Sequence, residues 1–172
     1  MKIWFFAHKR LLQVGAGMIA VVLLVLLWMA LHPEVSPVPA AIKQEVNFPV
    51  IYPKGYNIDP GGWQYIKDNK SLEFTAKKGG DSVVFNEQAV PLAYQNDAAA
   101  YNRFIGSLRP SATFDSPLGS VSLATFVTAA DFQDVGQSGI LNTHGTLLIA
   151  HPGSNFSDDQ WRSLFNSLKV DK

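Results

Sequence analysis

Cysteine is absent from the chain. That excludes a disulfide framework, a zinc–thiolate site and a cysteine-linked lipid. Charge is missing over a long stretch as well. Between Leu11 and Leu31 there is no Asp, Glu, Lys or Arg, and Gln13 is the one strongly polar residue. Acidic residues do not occur before Glu34. There is no Gly-x-Ser-x-Gly nucleophile elbow and no glycine-rich phosphate loop, because Gly61-Gly62 and Gly79-Gly80 are only short turn signals. A basic cluster is lacking too. With 14 Lys+Arg against 14 Asp+Glu, the chain has no face suited to nucleic acid.

The uncharged stretch is the most informative segment present. At about 1.5 Å per residue, residues 11–31 make a helix of roughly 30 Å, the thickness of a bilayer core. Lys2, Lys9 and Arg10 precede it without an acidic residue to balance them. The positive-inside rule therefore predicts a cytoplasmic N-terminus at 1–10, a transmembrane helix at 11–31 and everything beyond on the far side. Trp4, Phe5 and Phe6 suit one membrane interface and Trp28 the other. The apolar core is longer than that of a cleaved signal peptide, and the nearest small-residue site, Val38-Pro39-Ala40, contains proline. The expected localisation is a single-pass protein of a bacterial cytoplasmic membrane, since small exported domains elsewhere are usually disulfide-stapled.

Pro33, Pro37 and Pro39 read as a stiff spacer over 32–45, with the folded domain expected at 46–172. Phe48–Tyr52 reads as an edge strand, because Pro49 cannot donate to a ladder. Trp63–Lys67, Ser71–Lys77 and Ser82–Gln88, joined by short turns, predict a meander. A helix follows, capped by Asn96, with Tyr101, Phe104, Ile105 and Leu108 on one stripe and Pro110 closing it. Strands are expected at Ser120–Thr128, at Asp131–Val135 and from Ile140 to Ala150, the last broken into a hairpin at Asn142–Gly145. The C-terminal helix is marked by a Ser157/Gln160 capping box, a Phe156/Trp161 staple and two acidic residues in its first turn. Trp161, Leu164, Phe165 and Leu168 make its apolar face. The whole predicts an α+β domain, an antiparallel sheet with two helices packed on one face.

Two of these segments, Phe48-Pro49-Val50-Ile51-Tyr52-Pro53-Lys54-Gly55-Tyr56 and the run from Ser157 to Leu168, carry a resemblance. The domain resembles the DUF4367-type extracytoplasmic domains of single-pass proteins from candidate-phyla bacteria such as Saccharibacteria. The resemblance implies fold and location, and that family brings no catalytic residues with it.

Sites are sparse. His32, His144 and His151 are the histidines beyond the apolar segment. An odd separation on one strand would point His144 and His151 to opposite faces, so they do not predict a metal pair. Asp158 and Asp159 are accounted for by the helix start, and Asp131 and Asp134 by a solvated turn. No catalytic, metal or cofactor site is expected. The segment from Tyr52 to Tyr65 stands out, because Tyr52, Lys54, Tyr56, Trp63 and Tyr65 surround two Pro/Gly turns. These aromatics either fill the core of a small sheet or form a recognition surface. The expected function is a membrane-tethered, non-enzymatic domain that binds another envelope component, a protein or cell-wall partner, besides the lipid bilayer. The alternative is a structural subunit of a larger envelope complex, and a hydrolase stands a distant third.

Overall fold

The structure, a computed structural model, describes residues 36–127 and 134–171. The expected transmembrane segment at 11–31, His32 and the first residues of the strand expected at Asp131–Val135 lie outside them. Among the described residues, no helix is long and apolar enough to cross a membrane.

Folded structure starts earlier than the spacer reading allowed. The compact unit begins at Ser36, and α1 covers Ala40–Glu45 behind Pro39. Proline is tolerated at a helix start, where its missing N–H would have no partner anyway. Val38 and Ile42, four residues apart, are buried in the core. Lys43 of this helix pairs with Asp171 at 2.7 Å. Residues 36–45 are thus part of the domain, and the prolines introduce a helix where an open spacer was expected.

Next come β1 (Ile51–Pro53), β2 (Asn57–Ile58), a 3-10 turn over Pro60–Gly62, and β3 (Gln64–Ile66). The long strands β4 (Ser71–Lys78) and β5 (Asp81–Ala89) complete the predicted meander. Two helices follow, α2 (Leu92–Gln95) and α3 (Ala98–Ser107). The cap of α3 is Asp97, not the expected Asn96, and its carboxylate accepts the N–H of Ala100 at 2.9 Å. A second meander, β6 (Ala112–Ser116), β7 (Gly119–Val127), β8 (Asp134–Thr143) and β9 (Thr146–Pro152), leads to α4 (Asp158–Asn166) and β10 (Leu168–Val170).

Eight strands form one sheet in the order β2-β4-β5-β9-β8-β7-β6, with β3 also on β4. Every pairing in it is antiparallel. The β8–β9 turn falls where it was predicted, with His144 (φ +50°) and Gly145 (φ +82°) both left-handed. Two consecutive positive φ values are what a tight hairpin turn of matching twist requires.

Strand alternation sorts the side chains into two faces. One face carries Leu72, Phe74, Phe85, Val121, Leu141 and Leu148, and α4 covers it with Trp161, Leu164 and Phe165. Gly139 leaves room for this helix. A Cβ there would lie 2.5 Å from Phe165 Cε2 and 3.0 Å from Trp161 Cζ3. The opposite face carries Ala124, Ile140 and Leu147, covered by Tyr94, Tyr101, Ile105 and Leu108 of the α2–α3 unit. The helices therefore lie on opposite faces, not on one as predicted. The cause is topological: α2–α3 carries the chain from central β5 to edge strand β6, and α4 closes the other side afterwards.

A second, two-stranded sheet pairs β1 with β10, joining Ile51 to Val170 and Pro53 to Leu168. It lies over the α4 face, where Ile51 and Leu168 enter the core.

Candidate functional site

The turn-rich segment Tyr52–Tyr65 does border a cleft, but its aromatics do not line it. Trp63 is 7 % exposed and stacks on Phe74 with ring centroids 4.2 Å apart. Phe74 in turn stacks on Phe85 at 4.9 Å. Trp63 is a core residue, which corrects its place in the expected recognition surface. Tyr52, Tyr56 and Tyr65 are half-buried against the same core. Tyr65 sits opposite Leu72, so its ring lies on the α4 face of the sheet. Tyr56 lies beneath the Lys78 ammonium, 5.1 Å from the ring centroid. Burial, and then the nearby Asp81 charge, push its phenol above the ordinary range. Lys54 is exposed at the turn, and its backbone N–H donates to the Ser167 carbonyl at 2.9 Å.

Polar side chains between the aromatics form the cleft. On its outer edge, β4 pairs with β3 from Ser71 to Glu73 and with β2 at Ala76 and Lys77. Among the described residues no strand pairs with Phe74 or Thr75 on that side. Residues 59–63 bridge the interruption as a 3-10 turn, held by Asp59, whose carboxylate accepts the Gly61 N–H at 2.9 Å. Over this gap lies a cleft of about 560 Å3 into which Asn57, Asp59, Gln64, Glu73, Thr75 and Lys77 converge. Two carboxylates, two amides, a hydroxyl and an ammonium offer both donors and acceptors, with acceptors in excess. Sequence reading found the turn but missed Glu73, Thr75 and Lys77. Their signal was the polar alternation along β4, where successive odd positions share one face.

A second cleft, about 450 Å3, lies beside Gly136, Gln137, His151, Ser154, Asn155 and Phe156. His151 Nδ1 is 3.0 Å from Ser138 Oγ, and Ser138 is 2 % exposed. A hydroxyl so enclosed orients the imidazole and does not meet a ligand. Nearby, Trp161 Nε1 donates to Gln137 Oε1 at 2.8 Å. His144 sits in the hairpin turn with Nδ1 2.8 Å from Thr143 Oγ1. Among the described residues no three His, Cys, Asp or Glu side chains gather as a metal would require.

No family model, curated protein or solved structure matches the chain.

Proposed function

We propose that the chain is a single-pass membrane protein, N-terminus inside, whose domain from Ser36 onward binds another component of the cell envelope without transforming it. The observation that carries this reading is the cleft at the interrupted edge of β4. Its mixture of carboxylates, amides, hydroxyl and ammonium suits a partner rich in hydroxyl and amide groups, and a cell-wall polymer presents both. Among the described residues, the edge of β4 at Phe74 and Thr75 also lacks a strand partner, so backbone there can add to these contacts. The tether rests on the uncharged run at 11–31 and the basic residues before it. The likeness of residues 48–56 and 157–168 to DUF4367-type domains is proposed on the same footing.

The test is co-sedimentation of the detergent-solubilised full chain with purified cell-wall sacculi, comparing wild type with Glu73→Ala/Lys77→Ala. Both residues lie on a solvent-facing strand side, so the double variant should fold and lose at least about tenfold in binding, the ~1.4 kcal/mol expected of lost polar contacts. Equal sedimentation of both proteins, or none by wild type, would sink the reading.

Assembly as a subunit of a larger complex is the second reading. It is favoured by Leu92, 81 % exposed beside the ring cluster of Tyr94, Tyr101 and Phe104.

A further inference from the structure

Glu87 is 0 % exposed, two residues before the end of β5 on the α4 face of the sheet. Its cross-strand neighbours are Leu72 on β4 and Leu148 on β9. Its carboxyl accepts one backbone N–H, that of Ile51, at 3.2 and 3.1 Å to its two oxygens. This N–H faces the sheet because the other side of the β1 segment is occupied by β10, where Asp171 N–H donates to the Val50 carbonyl. Beside it, the buried hydroxyl of Thr146 donates to the Pro49 carbonyl at 2.6 Å. Two enclosed side chains thus hold the backbone of Pro49–Ile51 on the sheet, and one of the two can ionise.

Among the described residues, no charged group balances that carboxyl. Glu73 and Lys77 of β4, and His151 of β9, stand opposite Asn86, Ser82 and Val84, on the other face. Lys78 and Asp81 share its face but sit at the far hairpin end of β4 and β5. On α4, Asp158, Asp159 and Arg162 are exposed, as is Lys169 of β10. Lys43 of α1 is spent on Asp171.

We propose that Glu87 is a pH-sensitive latch: protonated, it holds the Pro49–Ile51 segment and its β10 partner on the sheet, and on ionising it lets them go. The segment so held is the one that leads directly from α1 and the chain preceding it. The latch is independent of the proposed β4 cleft.

A neutral carboxyl in this apolar setting keeps its hydrogen bond, whereas a carboxylate there lacks a counter-charge. Burial holds the folded-state carboxyl well above the ordinary range, and the Ile51 N–H opposes this only in part. Below the ordinary glutamate range, near pH 4, closed and open forms both carry the proton and the latch is at full strength. As pH rises above that range the open form ionises first, and the closed form loses up to about tenfold in population per unit. The loss levels off only when the buried carboxyl ionises as well.

The experiment is amide hydrogen exchange at Ile51 and Asp171 in the full chain in detergent, corrected for intrinsic pH dependence, for wild type and Glu87→Gln. Wild-type protection should fall at least about tenfold between pH 5 and pH 8. Glutamine keeps an acceptor but cannot ionise, so its profile should be flat. A flat wild-type profile, or an equal fall in Glu87→Gln, would overturn the latch. Should Glu87→Gln fail to fold, the carboxyl 13C shift of Glu87 in wild type decides. A protonated Glu87 at pH 6 supports the latch, and an ionised one with Ile51 still protected overturns it.

Discussion

The indole of Trp63 is enclosed by the core, yet among the described residues its Nε1–H has no hydrogen-bond partner. A buried donor left in that condition costs about 1–3 kcal/mol. Trp63→Phe should keep the stack on Phe74 and delete the orphan donor, so urea denaturation should show less than about 1 kcal/mol of change. Trp63→Ala should cost about 3–5 kcal/mol by opening a cavity. If phenylalanine costs as much as alanine, the indole N–H has a partner after all. The same residue shows where sequence reading stops. The Pro/Gly turns around it are local and were legible. Which face its ring takes depends on the register in which β3 meets β4, and a slip of one residue reverses every side chain. Tyr56, Trp63 and Tyr65 can be read as rim or as core until that register is known. The cleft itself was invisible, because it arises where two short strands fail to meet along a third.

At the level of elements, legibility followed locality. Helix α4 was readable because its start lies within a few residues, and the structure shows the reciprocal bonds of the capping box at 2.9 and 3.3 Å. The staple is there too, with the Phe156 and Trp161 rings 5.3 Å apart. Ser157→Ala should cost about 0.5–2 kcal/mol in a thermal or urea melt, and a change below that range would mean the cap is redundant. Strand β10 was missed because three residues directly after a helix carry no strand signal of their own, and only Ile51–Pro53 makes them one. Gly139, between the strands expected at Asp131–Val135 and from Ile140, exposes the same limit from the other side. Its lack of a side chain seats Phe165 and Trp161, rings too rigid to step aside. Gly139→Ala should therefore cost about 1–3 kcal/mol, as overpacking does, and a neutral result would show that α4 can shift off the sheet.

For the whole molecule, the sequence pattern placed one α+β domain after an apolar segment, and the antiparallel α+β fold is what the structure has. The faces taken by the two helical layers were not legible, since periodicity shows that a helix is amphipathic but not which surface it meets. The proposed topology has its own check. Protease added outside intact spheroplasts should remove the domain from Ser36 onward, given the three basic residues before Leu11. Protection there, with digestion only after lysis, would reverse the orientation.

Pairing β1 with β10 has a consequence for how the chain comes into being. A ribosome delivers Ile51 long before Val170, so the first strand waits for its partner while every strand of the large sheet is made. Helix α4, the cover of the more apolar sheet face, also follows all eight strands of that sheet. Contacts so distant in sequence form slowly, and until they form Phe74, Phe85 and Leu148 stay open to other chains. Until α4 and β10 have both been made, the nascent chain should therefore be open to aggregation through that face. A chain truncated before Leu168 would leave β1 without its partner strand.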